Sequence, residues 1–149
     1  MAGTDPIDAD PIDIAAKALR HGDRSRHAID ERLARAGVDE EARAESLATL
    51  ERLCYVDDSR FASGRAAALA ARGYGDAYIR FELERHGAKA DSAARALAAL
   101  EPESDRAREQ LARFGATPQT LQKALARLSR KGFADESLEG IVAARDDVA

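Results

Sequence analysis

The sequence predicts an all-α protein built from small tandem units. Three observations carry this: apolar residues recur at helical spacing throughout, turn residues cut the chain at short intervals, and the large apolar residues are too few for one big globule. Leucine, isoleucine, valine and phenylalanine make up 28 of 149 residues, while alanine alone accounts for 34. Alanine is the best helix former and lets helices approach closely, but each one buries little area. A thin core of that kind favours small units stacked side by side.

Taken in order, the elements follow from periodicity and punctuation. Residues 1–11 hold Pro6 and Pro11 with no periodicity and are expected to be a flexible acidic tail. Ile29, Leu33 and Ala36 then form a stripe at i, i+4, i+7. Leu47–Leu50–Leu53, Ala93–Leu97–Leu100, Ala107–Leu111–Phe114 and Leu121–Leu125–Leu128 repeat such stripes. No segment has the period-2 alternation of a strand. Breaks fall at Gly22, Gly37, 54–59, 72–76, Gly87, 101–104, 115–118 and Gly132, leaving about nine helices of ordinary length. Ser25, Asp39, Asp57 and Thr117 are the expected N-caps, with Pro118 at the first helical position after Thr117. Gly37, Gly87 and Gly132 are the expected left-handed residues just past helix ends.

Three helices end alike, in "LARAG" (33–37), "LERHG" (83–87) and "LSRKG" (128–132). In the first two an isoleucine, Ile29 or Ile79, precedes the leucine by four. Ser25 to Gly37 and Gly75 to Gly87 have the same length; Thr117 to Gly132 reads nearly one turn longer. The copies are 50 and 45 residues apart, a period that suits a three-helix unit with this helix in the middle. The expected organisation is a tail over 1–11, three-helix repeats over 12–56, 57–102 and 103–145, and a flexible end over 146–149. A second echo, "YVDDS" (55–59) and "FADES" (133–137), predicts an aromatic packed into the preceding helix pair and acids on the positive amino end of the next helix.

Charge is unevenly spread. The chain carries −4 overall, yet residues 1–13 and 134–149 each carry −4, so the body between them carries +4. A mildly basic body between acidic ends can meet a charged partner, but +4 does not support tight nonspecific DNA binding. The single cysteine, Cys54, excludes an internal disulfide framework, suits a reducing cytoplasm, and is expected to pack as a small buried residue at a helix end. No apolar run approaches the about 18 residues of a membrane span. The acidic amino terminus lacks the basic and apolar regions of a secretory signal. His21, His27 and His86 lack metal-ligand spacing, and "GYGDAYIRFELERHG" lacks the strand and lysine of a phosphate loop. Asp57 and Asp58 read as caps and not as a catalytic acid pair. No catalytic residue, metal or cofactor is expected.

In their order and spacing, "SRHAIDERLARAG" (25–37), "LERLCYVDDSRFASGRA" (50–66), "RGYGDAYIRFELERHG" (72–87) and "LQKALARLSRKGFADESLEGIV" (121–142) resemble the RecX family of bacterial recombinase regulators. The matching positions are Tyr55, Asp57, Asp58, Phe61 and Ala62, then Arg72, Gly73 and Gly75. Cys54 departs from the glycine usual before the aromatic, and the acidic tail has no clear counterpart. The resemblance spans residues 12–145. It implies tandem three-helix repeats in an elongated, curved body. It also implies a cytoplasmic, non-enzymatic regulator that binds the RecA filament in its groove as a monomer and limits filament extension, ATP hydrolysis and strand exchange. A weak contact with single-stranded DNA would accompany that binding. The residues also admit two other readings: a helix-turn-helix DNA-binding protein with Arg26, His27 and Tyr78 at its recognition turns, or a helical-repeat scaffold for another protein.

Candidate contact residues cluster about the middle helices: Arg72, Tyr74, Arg80, Arg127, Arg130 and Lys131. Tyr74 lies between two glycines, either as a turn packed on the next unit or as an exposed anchor. Arg35 and Arg85 stand two residues before a terminal glycine, where a cation favours the helix carboxyl end. Arg80, Arg127 and Lys131 have no such duty in the sequence and are therefore favoured for binding.

Overall fold

The computed structural model describes residues 9–146. Among them are nine helices: α1 (Pro11–Leu19), α2 (Arg26–Arg35), α3 (Glu40–Arg52), α4 (Asp58–Ala71), α5 (Asp76–Arg85), α6 (Ala90–Ala98), α7 (Glu103–Arg113), α8 (Leu121–Arg130) and α9 (Asp135–Asp146). The helices pack in consecutive threes, and each three has its own core. Ile29, Leu33, Leu47 and Leu50 lie at the centre of α1–α3. Leu69, Ile79, Leu83 and Leu97 fill α4–α6. Leu111, Leu128, Phe133 and Leu138 fill α7–α9. Burying a leucine or isoleucine contributes about 1.5–3 kcal/mol, so each small core rests on a handful of side chains.

The middle helices α2, α5 and α8 are built alike. Each has ten residues. Leu33, Leu83 and Leu128 are all fully buried. The glycines that follow, Gly37, Gly87 and Gly132, take φ of 87°, 89° and 95°. This left-handed geometry ends each helix and lets the next backbone N–H bond back to the buried leucine's carbonyl, as Val38, Ala88 and Phe133 do.

Four local expectations change. The cap of α8 is Thr120, not Thr117. Thr117–Gln119 form a preceding turn in which the Thr117 amide donates to Thr120 Oγ1 at 2.9 Å. The third middle helix is therefore no longer than the others, because proline and the two threonines favour a turn before the helix can start. Cys54 is exposed, with φ 63°, occupying the left-handed position after α3. Tyr55 turns outward and Val56 fills the core in its place, while Phe133 in the related segment is buried as expected. The two segments differ because Phe133 follows a middle helix and turns into its own repeat's core beside Leu111 and Leu128, under the Arg106 guanidinium, whereas Tyr55 follows a third helix, where Val56 takes the core position. Asp10 and Pro11, placed by the sequence in the flexible tail, open α1: the Asp10 carboxylate accepts from the Ile12 amide at 2.9 Å. Residues 1–8 and 147–149 lie outside the described residues.

Candidate partner interface

Two seams join the three groups, and they obey one rule. The amino end of each middle helix meets the carboxyl turn of the next middle helix along the chain. At the first seam the Ser25 hydroxyl caps α2 through the Ala28 amide at 3.1 Å and donates to the His86 carbonyl. At the second, the amides of Gly75 and Ala77 donate to the carbonyls of Lys131 (2.9 Å) and Gly132 (3.1 Å). Each turn lies flush on its neighbour. A Cβ on Gly87 would fall 2.2 Å from His27 Cβ, and one on Gly132 would fall 2.6 Å from Tyr78.

The second seam absorbs half of the candidate residues. Tyr74 is half-buried and stacks on Tyr78 at 4.1 Å with an 18° interplanar angle. Lys131 Nζ lies 4.8 Å from the Tyr74 ring centroid and donates to the Arg72 carbonyl at 3.1 Å. The Arg72 guanidinium covers the same ring at 5.4 Å. Arg72, Tyr74 and Lys131 thus form one cluster that holds two repeats together, so Lys131 does have a structural duty. The reason for Gly75 also changes. Its φ of −87° is ordinary; what requires glycine is the backbone opposite, since a Cβ would meet Phe133 N at 2.3 Å.

Two residues that sequence reasoning missed complete this seam. Arg106 is buried, donating to the carbonyls of Glu101 (3.0 Å) and Tyr74 (3.1 Å) and to the Asp76 carboxylate. Burial pushes the Asp76 carboxyl above its usual range, with Arg106 acting in the opposite direction. The Glu103 carboxylate accepts from the amides of Asp76 and Ala134, both at 2.7 Å. It thereby satisfies the amino ends of α5 and α9 together, where a negative charge is favoured. Neither was legible: "EPESDRAREQLARFG" reads as a solvated charged helix beside its Ala107–Leu111–Phe114 stripe.

The remaining candidates stay on the surface but are not equivalent. Arg80 and Arg130 are exposed on α5 and α8. Arg127 is also exposed, yet its guanidinium stacks 4.2 Å from the Phe114 centroid. Arg35 and Arg85 pair with Glu31 (3.9 Å) and Glu82 (3.5 Å), in keeping with their helix-end role. Phe81, beside Arg80, leaves 59% of its surface to solvent. Among the described residues no group of histidine, cysteine and acidic side chains could hold a metal ion. No described helix is long and apolar enough to cross a membrane.

Recognition-helix geometry needs a free amino-terminal turn. Here Arg26 and His27 in α2, and Tyr78 in α5, sit at turns that pack on the neighbouring unit, which works against the helix-turn-helix reading.

Fold and surface define a tandem three-helix-repeat protein whose exposed chemistry is carried by arginines. The chain belongs to the RecX family. It is 32% identical over 139 residues to the regulatory protein RecX of Stenotrophomonas maltophilia (strain R551-3), covering 89% of this chain and 85% of that protein. It is 31% identical over 134 residues to regulatory protein RecX of Xanthomonas axonopodis pv. citri, covering 86% and 83%. The crystal structure of RecX from Lactobacillus salivarius shares the fold, with a TM-score of 0.77 at 19% identity over 91% of this chain and 94% of that one. A second crystal structure of a regulatory protein RecX has a TM-score of 0.73 at 21% identity, covering 89% and 71%. No family model matches the sequence.

Proposed function

We propose that this chain is a cytoplasmic, non-enzymatic regulator of the RecA recombinase, acting as a monomer that binds the RecA–single-stranded DNA filament and limits its extension, ATPase and strand exchange. The observation that carries this reading is the likeness, over most of both chains, to proteins named regulatory protein RecX. Geometry supports it in a further way. The three repeats, taken as 12–56, 57–102 and 103–145, link their middle helices end to end, a form suited to following a repeating partner. Arg80 and Arg130 are the residues proposed to meet the filament, with Arg127 as a stacked, less mobile contributor. Arg72, Tyr74 and Lys131 contribute by holding the second seam. Contact with single-stranded DNA is weak and secondary, given a body charge of only +4.

The test is RecA ATPase on single-stranded DNA with this protein titrated in. A dose-dependent fall is expected, and an unchanged rate at saturating protein overturns the reading. Charge reversal at Arg80 and Arg130 together should weaken the effect, most at low salt, with the circular-dichroism melt retained.

A further inference from the structure

The first seam differs from the second in what fills it. Where Tyr74, Lys131 and Arg106 narrow the second seam to a cleft of about 230 Å³, the first leaves one of about 590 Å³ between the α1–α2 turn, α4 and the end of α5. Three guanidinium-bearing residues line it, Arg24, Arg60 and Arg65, with His21 and His86 beside them and Asp23 as the only lining carboxylate among the described residues. Asp23 is already engaged: Arg60 grips it with two bonds of 2.9 Å. That grip holds the Asp23 carboxyl below its usual range, so it stays ionised and satisfied. Arg24 makes no ion pair among the described residues, and its one hydrogen bond there goes to the Asp23 carbonyl at 3.5 Å. Arg65 lies 3.8 Å from Glu82, but that carboxylate also serves Arg85 and His86, each at 3.5 Å. The buried Nε of Arg65 has no partner among the described residues. Cations therefore outnumber the carboxylates that could neutralise them.

The floor of the cleft adds an independent sign. Gly64 sits inside α4, where glycine is a poorer helix former than alanine. Its backbone is not left-handed, and a Cβ there would meet nothing within 4 Å. No contact inside the protein requires this glycine; Gly140 in α9 is as open, but Gly64 lines a cleft together with Arg24, Arg60 and Arg65. Glycine serves where a ligand must come close to the backbone.

We infer that this cleft is a phosphate-binding site, formed by Arg24 and Arg65 above Gly64, that takes the backbone of single-stranded nucleic acid. Guanidinium groups suit phosphate oxygens, which accept their N–H bonds in pairs. Such a site gives the weak DNA contact proposed above a place in the molecule, and depends on that proposal only for the identity of the strand.

The experiment measures binding of a labelled oligodeoxythymidylate by fluorescence anisotropy, without recombinase, at several salt concentrations, with inorganic pyrophosphate as competitor. Arg24→Glu with Arg65→Gln should raise Kd about tenfold and flatten the salt slope by about 1. Arg95→Glu, a single exposed charge reversal on α6, should stay within about twofold of the parent. Gly64→Leu separates binding from folding: it should melt higher, as a better helix former, and bind more weakly because the side chain occupies the cleft. If pyrophosphate binds with the same dependence on Arg24 and Arg65 while the oligonucleotide does not, the site holds and its ligand is a free phosphate. The site is overturned if Gly64→Leu binds as the parent does, if Arg95→Glu weakens binding as much as the cleft variant, or if neither probe binds the parent. The RecA ATPase titration of the cleft variant is read separately, so loss of filament regulation and loss of this site can be told apart.

Discussion

Gly75 and Gly37 require glycine for different reasons. Gly37 has a left-handed φ of 87°, and a Cβ placed on it would meet nothing within 4 Å. Gly75 has an ordinary φ, and its Cβ would face backbone atoms of Gly132 and Phe133 at 2.3–2.5 Å. Backbone cannot swing aside as a flexible side chain can. Gly75→Ala is therefore expected to cost about 2–3 kcal/mol by overpacking, and Gly37→Ala about 1 kcal/mol from its backbone conformation alone. Urea unfolding of the two variants checks this; equal losses would mean the close approach at the second seam is relieved cheaply. Asp23 offers a test through pH. Its pKa is lowered in the folded protein, chiefly by the hydrogen bonds from Arg60, so its stabilisation is present at neutral pH and is lost as pH falls through and below the ordinary carboxylate range. The pair is substantially exposed, which keeps the effect small. Asp23→Asn should make the acid side of the melting-temperature profile shallower and leave the alkaline side unchanged.

At the scale of the element, position within a helix does not by itself set a cap's worth. Ser25 and Thr120 hold the same place before α2 and α8. The Ser25 hydroxyl is fully buried, accepts from the Ala28 amide and donates to the His86 carbonyl of the next repeat. Thr120 is exposed and its side chain caps no helix amide, bonding instead with Thr117. Ser25→Ala should cost about 2 kcal/mol, at the top of the range for caps, and Thr120→Ala under about 1 kcal/mol. Thermal melts of the two variants decide this, and a Thr120 variant as damaged as the Ser25 one would contradict the assigned roles.

At the scale of the whole molecule, stability depends on how well neighbouring repeats are coupled. The second seam hangs on Glu103 and Arg106, both contributed by α7 and both reaching across to the start of α5. Glu103→Ala would strip the acceptor from the Asp76 and Ala134 amides at once, for an expected loss of about 1–3 kcal/mol. Hydrogen exchange should locate that loss, with amides of α5's first turn and of α9 exchanging faster while those of α2 and α3 keep their protection. Uniform acceleration over all nine described helices would mean the repeats unfold as one unit and the seam is not a boundary.

The helices, their order and the shared endings of the middle three were legible in the residues alone, whereas the equal length of the third was not. Those features rest on short-range rules: a buried Ile29/Leu33 or Ile79/Leu83 pair one turn apart, a left-handed glycine closing each middle helix, and a capping side chain before α2, α3 and α4. The family was legible too, through motifs spread along the chain. Which charges face solvent was settled only by the packing of one repeat on the next. Arg106 and Arg108 are two residues apart on one helix, yet one is buried in a seam and the other is exposed, paired with Asp105 at 2.8 Å. Lys131 and Arg130 are adjacent, yet one covers Tyr74 while the other is exposed. An arginine or lysine can lay its apolar stem along a neighbour and end in water or on a carbonyl. Which it does depends on what the next repeat places opposite, about 30 to 60 residues away, and no local pattern records that.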